Sequence, residues 1–228
     1  MDEKLLYSTV TGDCESYYKE QAAAIQGAAY DDVLGDFFFS AVTRAFDIVL
    51  GTIGLLLSIP VFLVVGLLIK VEDGGPVFYR QERVGLHGRH FTLYKLRSMT
   101  VNAEVNGAQW AEQDDRRVTR VGRFIRKTRI DELPQLLNVI IGNMSLIGPR
   151  PERPEFILRF DQEIPGFIYR LQVKPGLTGW AQVNGGYDVT PEEKLKLDLF
   201  YIENRGILLN LRILVKTLRV ILTGDGAR

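Results

Sequence analysis

The sequence predicts an α+β domain attached to a membrane. Three features carry that reading. Ile48 to Ile69 is a run of 22 residues without a charge, long enough as a helix to matter to a bilayer. Val77–Arg83 and His90–Arg97 alternate like the strands of a hairpin around the turn Gly85-Leu86-His87-Gly88. Beyond them, apolar residues recur at helical spacing, in short stretches broken by glycine and proline. The 228 residues divide into an extension over 1–43, a hydrophobic segment over 44–70 and a main domain over 71–228.

Charge is distributed unevenly. The formal net charge is zero, yet residues 1–40 carry two lysines against eight carboxylates, which leaves +6 on the remainder. A basic body of this kind suits anionic lipid headgroups and anionic substrates. No nucleic-acid-binding motif accompanies the charge, so nucleic acid is not an expected partner. Cys14 is the only cysteine, which excludes an intrachain disulfide and a Cys-based zinc site. His87 and His90 are too few for a histidine cage and read as turn residues. Neither the P-loop nor the dinucleotide fingerprint is present. The polar, acidic N-terminus does not read as a cleaved signal peptide.

Residues 1–35 read as a polar start and an Ala-rich helical stretch around Tyr17–Tyr30. The hydrophobic run, fully helical, would extend about 33 Å. Pro60 stands in its middle, where it withdraws a donor from the Leu56 carbonyl and kinks the helix; Ser58 offers a hydroxyl nearby. Arg44 and Asp47 are placed to pair across i, i+3. Pattern alone reads a kinked spanning helix. On the second strand Phe91, Leu93, Lys95 and Arg97 share a face, so two cations among apolar side chains make either a phosphate contact or a solvated edge. Asn102–Asp115 is polar, a candidate mobile cover.

The centre of the chain is Asp131-Glu132, preceded by seven cations between Arg116 and Arg129 and followed by Gly148-Pro149-Arg150-Pro151. Leu133–Ile141 reads as a short helix with Pro134 in its first turn. That places both acids at a helix N-terminus, where Asp131 is expected to stay ionised. An ionised carboxylate among arginines suits either a helix cap or a nucleophile facing a phosphate ester. Further on, Phe156, Phe160, Ile164, Phe167 and Leu171 form a stripe, either core or an interface-lying face. A turn-rich loop holds Trp180, Gln182 and Asn184. Asp198 follows in a helix starting at Pro191, as a site residue or an exposed acid. The last helix, Arg205–Leu222, gathers Arg205, Arg212, Lys216 and Arg219 on a narrow arc, an interfacial profile.

The stretch RKTRIDELPQLLNVIIGNMSLIGPRPE, with FTLYKLRSM at Phe91–Met99 and VKPGLTGWAQVNG at Val173–Gly185, resembles the bacterial sugar transferases, the monotopic polyprenol-phosphate phosphoglycosyl transferases. With the hydrophobic segment, the resemblance covers about Arg44–Leu222. It implies a re-entrant helix that turns back at Pro60, amphipathic interfacial helices, and a catalytic domain on the cytoplasmic face of the inner membrane. This chain has Ser58-Ile59-Pro60 where the family commonly has adjacent Ser-Pro. The reaction implied moves a sugar 1-phosphate from a UDP-sugar to a polyprenol phosphate such as undecaprenyl phosphate. UMP is released, in the first membrane step of exopolysaccharide, capsule or O-antigen synthesis. By the same resemblance Asp131 is the covalent nucleophile. Glu132 takes the lipid phosphate's proton or joins Asp131 in holding Mg²⁺. Lys95, Arg97 and Arg150 bind phosphate, and Gln182, Asn184 and Asp198 are weaker substrate contacts. Anionic lipids, and a homodimer, complete the partners. Two other classes fit the residues: a nucleotide-sugar hydrolase with the same aspartyl-phosphate chemistry, and a non-catalytic scaffold of polysaccharide export.

Overall fold

The uncharged run folds as the middle of one long helix. The computed structural model describes residues 13–25, 33–105, 115–185 and 189–223. In it, helix α1 (Asp13–Ile25) precedes α2 (Val33–Asp73), a helix of 41 residues that starts well before Arg44. The helix continues through Pro60. The Ser58 hydroxyl donates to the Gly54 carbonyl at 2.7 Å, so it does not serve the Leu56 carbonyl that the proline leaves free.

One seam of α2 meets the rest of the protein along most of its length. Arg44, Asp47, Gly51, Gly54, Ser58, Val61, Val65, Ile69 and Glu72 follow one another at three- or four-residue steps, the stripe of a helix with one partnered face. At the near end Arg44 donates to the carbonyls of Val139 and Ile140, each at 2.6 Å, rather than pairing with Asp47. Asp47 accepts from the Leu146 N–H at 2.8 Å and the Ser145 hydroxyl at 3.0 Å. At the far end Glu72 accepts from the Arg120 N–H at 2.7 Å, and Asp73 pairs with Arg97. The opposite face of α2 is exposed and apolar, including Leu56, Leu57, Leu63, Val64 and Leu67. Each such side chain left in water forgoes about 1.5–3 kcal/mol of burial, so this face is built for a non-aqueous neighbour.

The hairpin forms as expected. Strands β1 (Phe78–Val84) and β2 (His90–Leu96) run antiparallel, with Phe78 opposite Leu96 and Val84 opposite His90. In the turn, His87 takes a left-handed φ of 55° and stacks on Tyr18 of α1 with ring centroids 5.4 Å apart. Gly88, at φ 79°, leaves no room for a side chain: a Cβ there would lie 2.5 Å from the Cys14 carbonyl. Tyr17 adds a hydrogen bond to Asp161 at 2.8 Å. The chain before the apolar run therefore docks on the body that follows it.

Helix α3 (Arg120–Lys127) is capped by Thr119, which accepts from the Gly122 N–H at 2.9 Å. Helix α4 (Gln135–Ile141) leads to β3 (Ser145–Ile147), which pairs in parallel with β4 (Gly176–Thr178). Between them lies α5 (Pro154–Glu163), and after them come α6 (Trp180–Asn184), α7 (Pro191–Asn204) and α8 (Ile207–Thr223). The start of α7 carries a complete capping box between Thr190 and Glu193. The Phe156–Leu171 stripe is core: Phe160, Phe167, Ile168 and Leu171 pack with Ile157, Val84, Leu195 and Cys14. Gly166, at φ 89°, starts a second, 3-10 turn that faces the same cluster, so the stripe offers no interfacial face. On α8, Leu208, Leu211, Val215 and Leu218 are exposed while Ile213 is fully buried. Its cations are partly engaged: Arg212 and Lys216 lie 5.5 and 4.9 Å from the centre of the Trp180 ring.

Candidate active site

After α3 the backbone reverses at Arg129, whose φ of 57° is left-handed, and enters a 3-10 turn over Ile130–Glu132. The expected helix from Leu133 begins at Gln135, so both acids lie one turn ahead of it. This turn drives Asp131 inward until it is 7% exposed, beside Glu132.

The two neighbours have different fates. Glu132 is gripped by Arg150, whose Nη1 lies 3.2 Å from Oε2 and whose Nη2 contacts Oε1, and Lys95 Nζ stands 3.6 Å away. Burial opposes its charge, but Arg150 and Lys95 outweigh burial and hold its carboxyl far below the ordinary range. Asp131 makes no hydrogen bond or ion pair with another described residue. Burial pushes its pKa up to about 6, with the Glu132 charge adding and Lys95 opposing. The short helix expected to favour its charge begins only at Gln135, and desolvation outweighs it; Asp131 is ionised at neutral pH as expected, but by a narrower margin. Burial also lowers the Lys95 pKa, against the pull of Glu132.

Lys95, Asp131, Glu132 and Arg150 line one cleft of about 480 Å³. Arg150 is aimed by a segment held at every carbonyl. Pro149 accepts from the Gly176 N–H at 2.8 Å, Arg150 from the Arg170 guanidinium at 2.9 Å, Pro151 from Arg83 at 3.0 Å, and Glu152 from the Val84 N–H at 2.9 Å. Arg170, only 2% exposed, also binds Asp198 at 2.6 Å and approaches Glu152 at 3.7 Å. Glu152 in turn pairs with Lys194 and with Arg83, the latter at 3.5 Å.

Other expected site residues are placed differently. Arg97 borders the cleft, but its guanidinium is taken by Asp73 and by the carbonyls of Pro76 and Met99, so it ties α2 to the hairpin. Asp198 is neither exposed nor in the cleft wall; its Oδ2 accepts from Arg170, beneath Arg150. Gln182 reaches the cleft, whereas Asn184 contacts Lys216 and the Trp180 carbonyl. Two residues apart on a helix point about 200° apart, so α6 cannot present both to one site. Glu104, from the expected cover, contacts Tyr79 and Arg153, while 106–114 lie outside the described residues. Arg83, Glu152, Arg170 and Lys194 were not foreseen; the one signal was Arg170, a charge set inside an apolar stripe.

Among the described residues no three His, Cys, Asp or Glu side chains gather as a metal cage. Two adjacent carboxylates, one already held by arginine, suit Mg²⁺ only where phosphate oxygens of a ligand complete its shell.

The cleft thus brings together paired cations, one committed carboxylate and one uncommitted carboxylate, on a body that clasps a long apolar helix with one face exposed. Comparison with known proteins gives the family. The bacterial sugar transferase family model matches residues 38–224, and the chain belongs to that family. It is 49% identical over 193 residues to UDP-N-acetylgalactosamine-undecaprenyl-phosphate N-acetylgalactosaminephosphotransferase of Aeromonas hydrophila, covering 83% of this chain and 46% of that protein. A putative undecaprenyl-phosphate N-acetylgalactosaminyl 1-phosphate transferase of Bacillus subtilis is 56% identical over 133 residues, 58% of this chain and 74% of its own. UDP-glucose:undecaprenyl-phosphate glucose-1-phosphate transferase of Escherichia coli is 42% identical over 179 residues, 76% of this chain and 39% of its own. The chain spans about half the length of the first of these relatives.

Proposed function

We propose that this chain transfers a sugar 1-phosphate from a UDP-sugar to undecaprenyl phosphate through a phospho-aspartyl intermediate. The observation that carries the reading is the division of labour in the acid pair: Glu132 is held by Arg150 and Lys95, while Asp131 faces the cleft uncommitted. An Asp131 oxygen attacks the sugar-bearing phosphorus, the P–O bond to UMP breaks, and UMP leaves. The lipid phosphate then attacks the same phosphorus and the acyl-phosphate bond breaks, restoring Asp131. Covalent relay avoids a direct meeting of two anionic phosphates. Lys95 and Arg150 bind phosphate oxygens, and Arg150 fixes the ionised Glu132 beside Asp131. Asp131 and Glu132 would hold Mg²⁺ together with the diphosphate, whose charge the ion would neutralise. The test is UMP release across UDP-sugars, with and without undecaprenyl phosphate. Turnover that requires the lipid supports transfer; sustained turnover without it would make the protein a hydrolase.

Asp131 must be ionised to attack, so the first half-reaction is expected to rise with pH through about 6 and level off above 7. At pH 5 the adduct should form about tenfold more slowly than on the plateau. A flat rapid-quench profile from pH 5 to 8 would remove Asp131 as the titrating nucleophile.

The same proposal places α2 in the membrane as a re-entrant element, with the flanking chain on the cytoplasmic face of the inner membrane. Its support is that α1 and both flanks of the apolar run in α2, at Arg44 and Glu72, contact the one body, which a bilayer between them would prevent. The exposed faces of α2 and α8 then rest in lipid, with Arg205 and Arg219 at headgroup level. Cys14 is fully buried, so its thiol cannot report sidedness. Cysteines at Lys19 and Lys196, whose side chains are 69% and 70% exposed, can do so in a Cys14→Ala background. Both are expected to resist an impermeant maleimide in spheroplasts and to label after lysis. Labelling at position 19 alone before lysis would establish a spanning helix.

A further inference from the structure

The cleft continues beyond the phosphate-binding cations to a wall formed by Phe156, Phe160, Phe167, Gln182 and the Glu152–Lys194 pair. The charges in this wall neutralise each other, so it is suited to a neutral part of a ligand. The exception is Gln182. Both polar atoms of its carboxamide are buried, and neither has a hydrogen-bond partner among the described residues. A buried donor and acceptor left open are costly, and native structures rarely keep them without a use.

The local fold explains how the amide is held there. Gly179 precedes α6, and a Cβ on it would lie 2.7 Å from Gln182 Oε1. Glycine thus lets the carboxamide lie flat against the backbone. Asn184, on the other side of the short helix, is bound to Lys216 and cannot compete for the same partner. A carboxamide offers N–H and C=O side by side in one plane. Its complement is a group with C=O and N–H side by side, and the surrounding rings suit a flat or methyl-bearing group while excluding water.

Resting on the transferase reading above, we infer that Gln182 is a specificity-determining residue that reads a paired amide edge on the nucleotide sugar. One part of such a donor carries that edge, the imide of the uracil ring; a trans acetamido group points its C=O and N–H to opposite sides. Gln182→Met keeps the length and volume of the side chain and removes both hydrogen-bonding atoms. Because it removes an unsatisfied polar group, the variant is expected to melt at the wild-type temperature or above it. Its kcat/KM for UMP release is expected to fall about 10- to 100-fold.

The donor pairs UDP-GalNAc with UDP-Gal and UDP-GlcNAc with UDP-Glc locate the edge. Loss confined to the acetamido donors would place the contact on the sugar and overturn the assignment to the imide. Equal loss on all donors, with weaker inhibition by UMP, assigns it to the base. Unchanged kinetics on every donor, or a fall in melting temperature that accounts for the lost activity, would overturn the inference while leaving the transferase reading intact. Wild-type protein that releases no UMP from any of the four would overturn both.

Discussion

Replacing Asp131 with asparagine is expected to abolish the reaction and spare the fold. UMP release should drop by about 10⁴-fold or more, the scale seen when a covalent nucleophile is removed. No phosphosugar adduct should appear on the peptide containing residue 131 after incubation with UDP-sugar alone. The folded pKa of about 6 lies above the ordinary 3.8, so the protonated acid is the form the fold favours. Stability from this group is present below pH 3.8 and is lost as pH rises through 6. Asparagine removes that penalty, and the variant should unfold at the wild-type denaturant midpoint or above it at pH 7. Near-normal turnover in Asp131→Asn would end the nucleophile assignment, and a collapse of stability would recast the residue as structural.

The second large effect is expected below Arg150. Arg83, Arg170 and Lys194 face Glu152 and Asp198 in one buried network, three cations to two anions. Asp198→Ala leaves one anion for three cations, and breaking a buried pair from one side costs about 3–5 kcal/mol. In a chain of this size that corresponds to a fall in melting temperature of roughly 6–20 °C. Arg170→Met leaves two charges of each sign and should cost less stability. Yet it removes the donor to the Arg150 carbonyl, so its activity should fall at least as far as that of Asp198→Ala. Activities that simply track the melting temperatures of the two variants would show that the network only stabilises.

How much of this was legible beforehand follows from how local each signal is. Asp131, Glu132 and Arg150 lie within 20 residues of one another in a sequence dense with cations and turn formers, and Lys95 stood out as a charge on an apolar strand face. The hairpin and the α7 cap were equally local, set by alternation and by Thr190 with Glu193. Burial was not legible. It narrowed the margin by which Asp131 stays ionised and turned Asp198 from a candidate contact into half of an ion pair spanning 28 residues. The register of α6 was also invisible, because Trp180–Asn184 is too short for periodicity to show which of Gln182 and Asn184 faces the cleft. The aromatic stripe illustrates the same limit: its spacing is that of an amphipathic helix, and only the fold at Gly166 decides that it faces inward.

The docking of α1 on the hairpin turn sets an order of assembly. Tyr17 and Asp161 are separated by 144 positions, so the surface that receives α1 exists only after most of the chain has been synthesised. On the placement proposed above, α2 emerges earlier and has by then met the bilayer. Contacts between such distant residues form late because a long loop must close first. During that interval α1 must wait undocked. A biogenesis defect in this protein would therefore surface first as an α1 open to proteolysis while α2 is already held in lipid.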